Sequence, residues 1–213
     1  MNNVIETSTP NNSRILYLTG YVCDENISEI CNQILMWNMA DREGMAKFRD
    51  YTIKPIQLYI QTSGGSAYDM LALIGVIETS DTPVITYCTG YAMSAGALIF
   101  LAGHLRKMYP MSYLMLHQMS AGTCGKENDL HIQQDQLDDM HKMMIKYIKK
   151  RTNLPKEFYK KFDKLKEDVY FKPEECLKYG ICDEIIETAD WRSALLEQKK
   201  LEDQEEADDC CED

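Results

Sequence analysis

From Thr82 to Leu105 the chain reads TPVITYCTGYAMSAGALIFLAGHL, without one Asp, Glu, Lys or Arg. A charge-free run of this length has to be buried, either in a bilayer or in the middle of a core. Pro83, Gly90, Gly96 and Gly103 divide it, and VITYC at 84–88 is β-branched and aromatic. A strand, a corner and a buried helix account for it better than a membrane span. The rest of the fold must be built around that strand, corner and helix. The corner carries a serine, Ser94, among the small residues Ala92, Ala95 and Gly96. Taken alone, the segment favours a packed small-residue helix, with Ser94 bonding back to a carbonyl. The competing reading is a nucleophile held at a helix N-terminus, where free N–H groups favour negative charge. It lacks the G-x-S-x-G pattern of a nucleophile elbow.

On either side of this run, strand and helix patterns alternate. RILYLTG (14–20) is a strand, ENISEICNQILMWNMAD (25–41) an amphipathic helix, and 42–54 a polar connection. PIQLYIQT (55–62) is a strand, SGG a turn, and 66–80 a helix. PVITYCT is the next strand, and SYLMLHQ (112–118) continues the sheet after a short turn. One long helix is expected over 127–151, then helices over 155–164 and 172–180, with VYF (169–171) extended between them. ICDEII (181–186) makes a last strand. Such alternation predicts an α/β fold with a largely parallel sheet, whose sites collect where strands end and helices begin.

Charge narrows the function classes. Of the 34 acids, eight fall in residues 202–213, which hold no base, so the remainder sets 26 acids against 23 bases. The body is near neutral and offers no basic groove for nucleic acid; KEFYKKFDKLK (156–166) reads as the solvated face of a helix. The expected organisation is a flexible segment 1–13, one folded body 14–195 and an acidic, disordered tail 196–213. The eight cysteines lack paired CxxC spacing, and no signal sequence opens the chain, so free thiols in a reducing, cytoplasmic setting are expected. The Cys210-Cys211 pair reads as solvated tail thiols. No P-loop, G-x-G-x-x-G or H-E-x-x-H occurs, so nucleotide and zinc-peptidase chemistry find no support.

Three further features could join Ser94. His117 ends an apolar strand, where a histidine serves either as a general base or as a satisfied structural group. His104, His131 and His141 are weaker candidates. TSGG (62–65) lies between strand and helix, and its glycines suit an oxyanion hole or an ordinary tight turn. Among the acids, Asp129, Asp135, Asp163, Asp168 and Asp183 all qualify, and spacing does not choose between them.

The order of the pieces does more than any one of them. ILYLTGYV, LYIQTSGGSAYDMLALIGVI, TGYAMSAGALIFLAG, YLMLHQMSAG and YFKPEECLKYGICDEII, over roughly residues 14–188, resemble the ClpP family, proteolytic subunits of the ATP-dependent Clp protease. The resemblance implies the ClpP/crotonase-like fold, repeated β-β-α units with a protruding handle helix. It implies a Ser94–His117–Asp168 triad in a serine endopeptidase, with the Gly65 and Ala95 amides as oxyanion hole. Ala95 stands where the family usually has Met. Gly64, Ser120, Ala121 and Gly122 would bind extended substrate, and no metal or organic cofactor is implied. Assembly into stacked heptameric rings and a AAA+ unfoldase partner are implied as well. Against the latter, the apolar helix that normally precedes the first strand and lines the axial pore is missing. The alternatives are a catalytically silent ring subunit, opposed by the intact triad residues, and a stand-alone or phage-assembly peptidase of the same fold. An acyl-CoA enzyme of the crotonase type is opposed by the ordered serine and histidine.

Overall fold

Each pair of parallel strands needs a crossover between them, and the alternating pattern supplies a helix for most. The computed structural model describes residues 13–119, 126–161, 167–193 and 195–198. Its elements run β1 (Ile15–Val22), α1 (Asp24–Lys47), β2 (Ile56–Gly65), α2 (Ala67–Glu78), β3 (Val84–Met93) and α3 (Ala95–Ala102). Then come β4 (Leu105–Met108), β5 (Tyr113–Leu116), α4 (Glu127–Arg151), α5 (Lys156–Tyr159), β6 (Val169–Phe171), α6 (Pro173–Lys178) and β7 (Glu184–Ile185). The sheet order is β1-β2-β3-β4-β7, and β5 and β6 form a branch off β3. Strand β3 divides its far edge: Ile85–Cys88 pair with β4, and Tyr91–Met93 pair with β5. Among the described residues every pairing is parallel except β5 with β6. The expected α/β class with a largely parallel sheet is what forms, and α4 is the long helix expected over 127–151.

The charge-free run sits at the centre. Residues 95–102 of α3 are all buried, packed with Leu18, Leu58, Ile60, Leu73 and Ile77 in a single core. Gly96 and Gly103 let α3 lie this close to the sheet: a Cβ on either would overlap the side chain of Thr62 or Thr86. The other face of the sheet carries a stack of tyrosines at paired positions, Tyr17, Tyr59 and Tyr87, with ring centroids 5.6 and 4.5 Å apart.

Besides β4, a strand that the sequence reading left out, three elements depart from it. Helix α1 does not stop at Asp41 but continues to Lys47. Its buried stripe of Ile27, Ile30 and Ile34 goes on through Asn38, Asp41 and Gly44, which no hydrophobic pattern would register. Each is accommodated. The Asn38 side-chain oxygen accepts from Ser80 Oγ at 2.8 Å and the Thr82 N–H at 3.1 Å. Asp41 receives two Arg14 N–H bonds at 2.5 and 2.6 Å, the Tyr51 hydroxyl at 2.6 Å and the Thr82 hydroxyl. The ring of Tyr51 fills the space beside Gly44. Part of the polar connection thus folds back and is clamped to the helix. Second, SGG is the end of β2 and not a turn, because Gly64 and Gly65 pair with Tyr21 and Val22 of β1. Third, the helix expected over 155–164 is confined to Lys156–Tyr159 as α5, and 162–166 lie outside the described residues. Segment 1–12, most of the acidic tail (199–213) and Cys124, Cys210 and Cys211 lie outside them too.

Cys23, Cys31, Cys88, Cys176 and Cys182 are free thiols. Burial pushes Cys88 up to about 12 and Cys182 to about 11, and raises Cys176 further. The thiolate is the reactive form. Iodoacetamide at pH 8 therefore leaves Cys88, Cys176 and Cys182 unmodified in the folded protein and labels all three after unfolding in urea. Peptide mass mapping reads the result, and labelling of Cys88 without denaturant would contradict the burial.

Candidate active site

Strand β3 ends at Met93 and helix α3 begins at Ala95, leaving Ser94 to make the whole corner. It does so at φ 53°, ψ −121°, the one non-glycine residue at positive φ among those described. A side chain in that region costs on the order of 1–3 kcal/mol, and the surroundings must enforce it. The Ser94 N–H donates to Met115 O of β5 at 3.0 Å, while its carbonyl accepts from the Ala97 and Leu98 amides at 3.0 and 3.3 Å. Main-chain bonds thus hold the residue on both sides and leave the side chain without a capping role. Among the described residues the hydroxyl bonds back to no carbonyl. Ser94 Oγ lies 2.7 Å from His117 Nε2.

His117 reaches that position because it follows β5 directly, and Met93 of β3 is in register with Met115. The third member comes from the opposite direction. In the antiparallel β5–β6 pair Leu116 faces Val169, so the next residues outward are His117 and Asp168. His117 Nδ1 and Asp168 Oδ1 are 3.9 Å apart, and the Asp168 side chain is 52% exposed. That is ion-pair distance, longer than a hydrogen bond. Such contacts in unliganded sites commonly tighten only when substrate is bound.

The other candidate acids are placed elsewhere. Asp183 is committed to Arg106, which donates to it at 2.6 and 2.9 Å. Asp135 lies exposed on α4, which also carries the backbone of Asp129, and Asp163 is outside the described residues. His104 Nδ1 accepts from the Val84 N–H at 3.0 Å, a structural bond.

Gly64 and Gly65 are brought to the same corner. A Cβ on Gly64, at φ +103°, would lie 2.8 Å from Ser94 Cβ and 3.2 Å from the Ala95 nitrogen, so only glycine lets the two backbones meet. The Gly64 amide is engaged, donating to Thr62 Oγ1 at 3.1 Å. Gly65 sits at φ +153°, where a Cβ would overlap the Val22 carbonyl. Ala95 opens α3, placing its amide at the helix N-terminus beside Ser94. Ser120, Ala121 and Gly122 lie outside the described residues. One contributor escapes sequence reading altogether: the Met115 carbonyl that fixes the Ser94 amide carries no side-chain signal. Among the described residues no group of three His, Cys, Asp or Glu converges to hold a metal, and no helix is long and apolar enough to cross a membrane.

Comparison with known proteins identifies the family. The family model for Clp protease matches residues 3–189. An ATP-dependent Clp protease proteolytic subunit from Deinococcus radiodurans is 32% identical over 176 residues, 82% of this chain and 80% of that protein. The ATP-dependent Clp protease proteolytic subunit 2 of Thermobifida fusca is 34% identical over 175 residues, 81% of this chain and 80% of that one.

Proposed function

Because this chain belongs to the Clp protease family, we propose that it is a serine endopeptidase, the proteolytic subunit of an ATP-dependent Clp-type protease. Ser94 Oγ attacks the peptide carbonyl while His117 Nε2 takes its proton, then returns that proton to the leaving amine. Water repeats the sequence in reverse on the acyl-enzyme. Asp168 orients the imidazole and stabilises its charged form. The amides of Gly65 and Ala95 bind the tetrahedral oxyanion, each donor worth on the order of 3 kcal/mol. Since the donor at Ala95 is the main chain, the exchange of the family's Met for Ala at this position leaves that function available. The observation that carries the reading is the 2.7 Å Ser94–His117 contact at a corner held in positive φ.

The partners follow from the same reading. Exposed Tyr17, Tyr21, Met36, Met39 and Trp191 support burial in an assembly, proposed as stacked heptameric rings. The chain has no P-loop, so ATP would be used by a partner unfoldase that feeds it unfolded polypeptide. Buried free thiols fit a reducing, cytoplasmic setting.

The test is a fluorogenic peptide together with a serine-reactive fluorophosphonate. The expected result is cleavage of the peptide and loss of that activity in step with labelling of Ser94. A protein that assembles into rings yet neither labels nor cleaves would establish the silent-subunit alternative instead. Asp168→Asn is expected to lower kcat on the order of 10²-fold, a smaller loss than removal of Ser94, because the half-exposed carboxylate stands 3.9 Å from His117. Steady-state kinetics on the same peptide measures it.

A further inference from the structure

We propose that Thr62 is a positioning residue for the oxyanion hole, an inference that rests on the serine-peptidase reading above. Thr62 is in β2, fully buried, beneath the Ser94 corner. It stands where strand pairing slips on both sides: the β1–β2 register shifts between Gly20 and Tyr21, and the β2–β3 register between Ile60 and Thr62. A bulge of this kind interrupts the ladder and leaves main-chain groups in want of partners. The Thr62 hydroxyl bridges two of them. It donates to the Gly20 carbonyl at 2.5 Å and accepts from the Gly64 N–H at 3.1 Å.

The second bond decides which amide faces the substrate. With the Gly64 N–H held inward on Thr62, the φ of +103° at Gly64 turns the next peptide, and the Gly65 amide is the one presented to the oxyanion. The methyl acts on the other donor. Thr62 Cγ2 occupies the space where a Cβ on Gly96 would sit, so it supports the first turn of α3 and with it the Ala95 amide. One side chain therefore sets both donors, the hydroxyl on the Gly65 side and the methyl on the Ala95 side. Ser and Val each keep half of this arrangement, which makes the two halves separable.

The test compares Thr62→Val, which keeps the shape and loses the hydroxyl, with Thr62→Ser, which keeps the hydroxyl. Steady-state kinetics on a fluorogenic peptide and the inhibition constant of a peptide boronate are measured for both. Thr62→Val is expected to lose about 10- to 100-fold in kcat with KM within about 2-fold, and boronate affinity should fall by the same factor as kcat/KM. Thr62→Ser, which keeps the Gly65 side and loses the methyl beneath the Ala95 turn, is expected to lose less, about 3- to 5-fold in kcat. A purely structural role would lower the melting temperature of Thr62→Val without this split between kcat and KM. If Thr62→Val does not fold, Thr62→Ala, which loses both halves, is expected to fall at least as far in kcat. An active native chain whose Thr62→Val turns over normally, or whose Thr62→Ser loses as much as Thr62→Val, overturns the inference alone. An inert native chain overturns it together with the peptidase reading.

Discussion

Ser94→Ala removes peptide hydrolysis, by on the order of 10⁴- to 10⁶-fold in kcat, and leaves the fold standing. The magnitude follows from what the hydroxyl is proposed to do: without Oγ no acyl-enzyme forms, and what survives is the catalysis that the oxyanion donors give to attacking water. The intact fold follows from what the hydroxyl does not do. It caps no helix, and its hydrogen bond is to His117. The bonds that hold the corner, from the Ser94 amide to Met115 and from Ala97 and Leu98 to its carbonyl, are main-chain and survive the substitution. Alanine also carries a Cβ at φ 53°, so the backbone strain is little changed. The melting temperature is therefore expected to shift by only a few degrees. Activity above about 1% of native in Ser94→Ala would remove the serine from the mechanism.

Asp41→Ala has the opposite signature, a large loss of stability with the site chemistry untouched. Asp41 is fully buried, and Arg14, its bidentate partner, is nearly so, with 10% of its side chain exposed. Removing one member of a buried pair strands the other charge, at a cost of about 3–5 kcal/mol. Here the Tyr51 and Thr82 hydroxyls lose their acceptor as well. Urea unfolding should show the midpoint falling with little change in slope. The same group sets an acid limit. The Arg14 guanidinium holds the Asp41 carboxyl down to about 2, below its ordinary value of 3.8. A depressed carboxylate contributes stability that is fully present above its unfolded value and is lost as pH falls toward its folded one. The contribution should thus fade between roughly pH 4 and pH 2. The midpoint of Asp41→Asn should be flatter across that window than that of the native chain. Parallel curves would show that Asp41 is not the group responsible.

The two predictions also mark what a sequence can and cannot disclose. Ser94 and the paired glycines stood out as residue types, but the segment alone favoured a packed helix and the glycines fitted an ordinary tight turn equally well. His117 was legible as the end of an apolar strand. Asp168 was one of five eligible acids, and the residues alone did not single it out. Its place beside His117 depends on the antiparallel register of Leu116 with Val169, a pairing across more than fifty residues that no local pattern encodes. Only the resemblance of the whole ordered set of motifs pointed to it. The end of α1 failed for a different reason. Hydrophobic periodicity detects burial through apolar side chains, and Asn38 and Asp41 are buried through hydrogen bonds. The strand character of SGG was hidden because glycine so often signals a turn, whereas here its missing side chain is what admits a neighbouring backbone.

The antiparallel β5–β6 pair has a consequence for biosynthesis. Parallel strands β1 to β3 and the serine corner all lie within the first half of the chain. Asp168 and the strand that follows it, Val169–Phe171, leave the ribosome last among the parts of the proposed triad. At about 5–20 residues per second, the Ser94 segment precedes it by several seconds. From its own synthesis until then, the outer edge of Tyr113–Leu116 has no partner, and His117 has no Asp168 carboxylate beside it. The nascent chain therefore carries its proposed nucleophile in an unfinished site. A polypeptide built to cut others completes its cutting edge only when most of its own length is already synthesised.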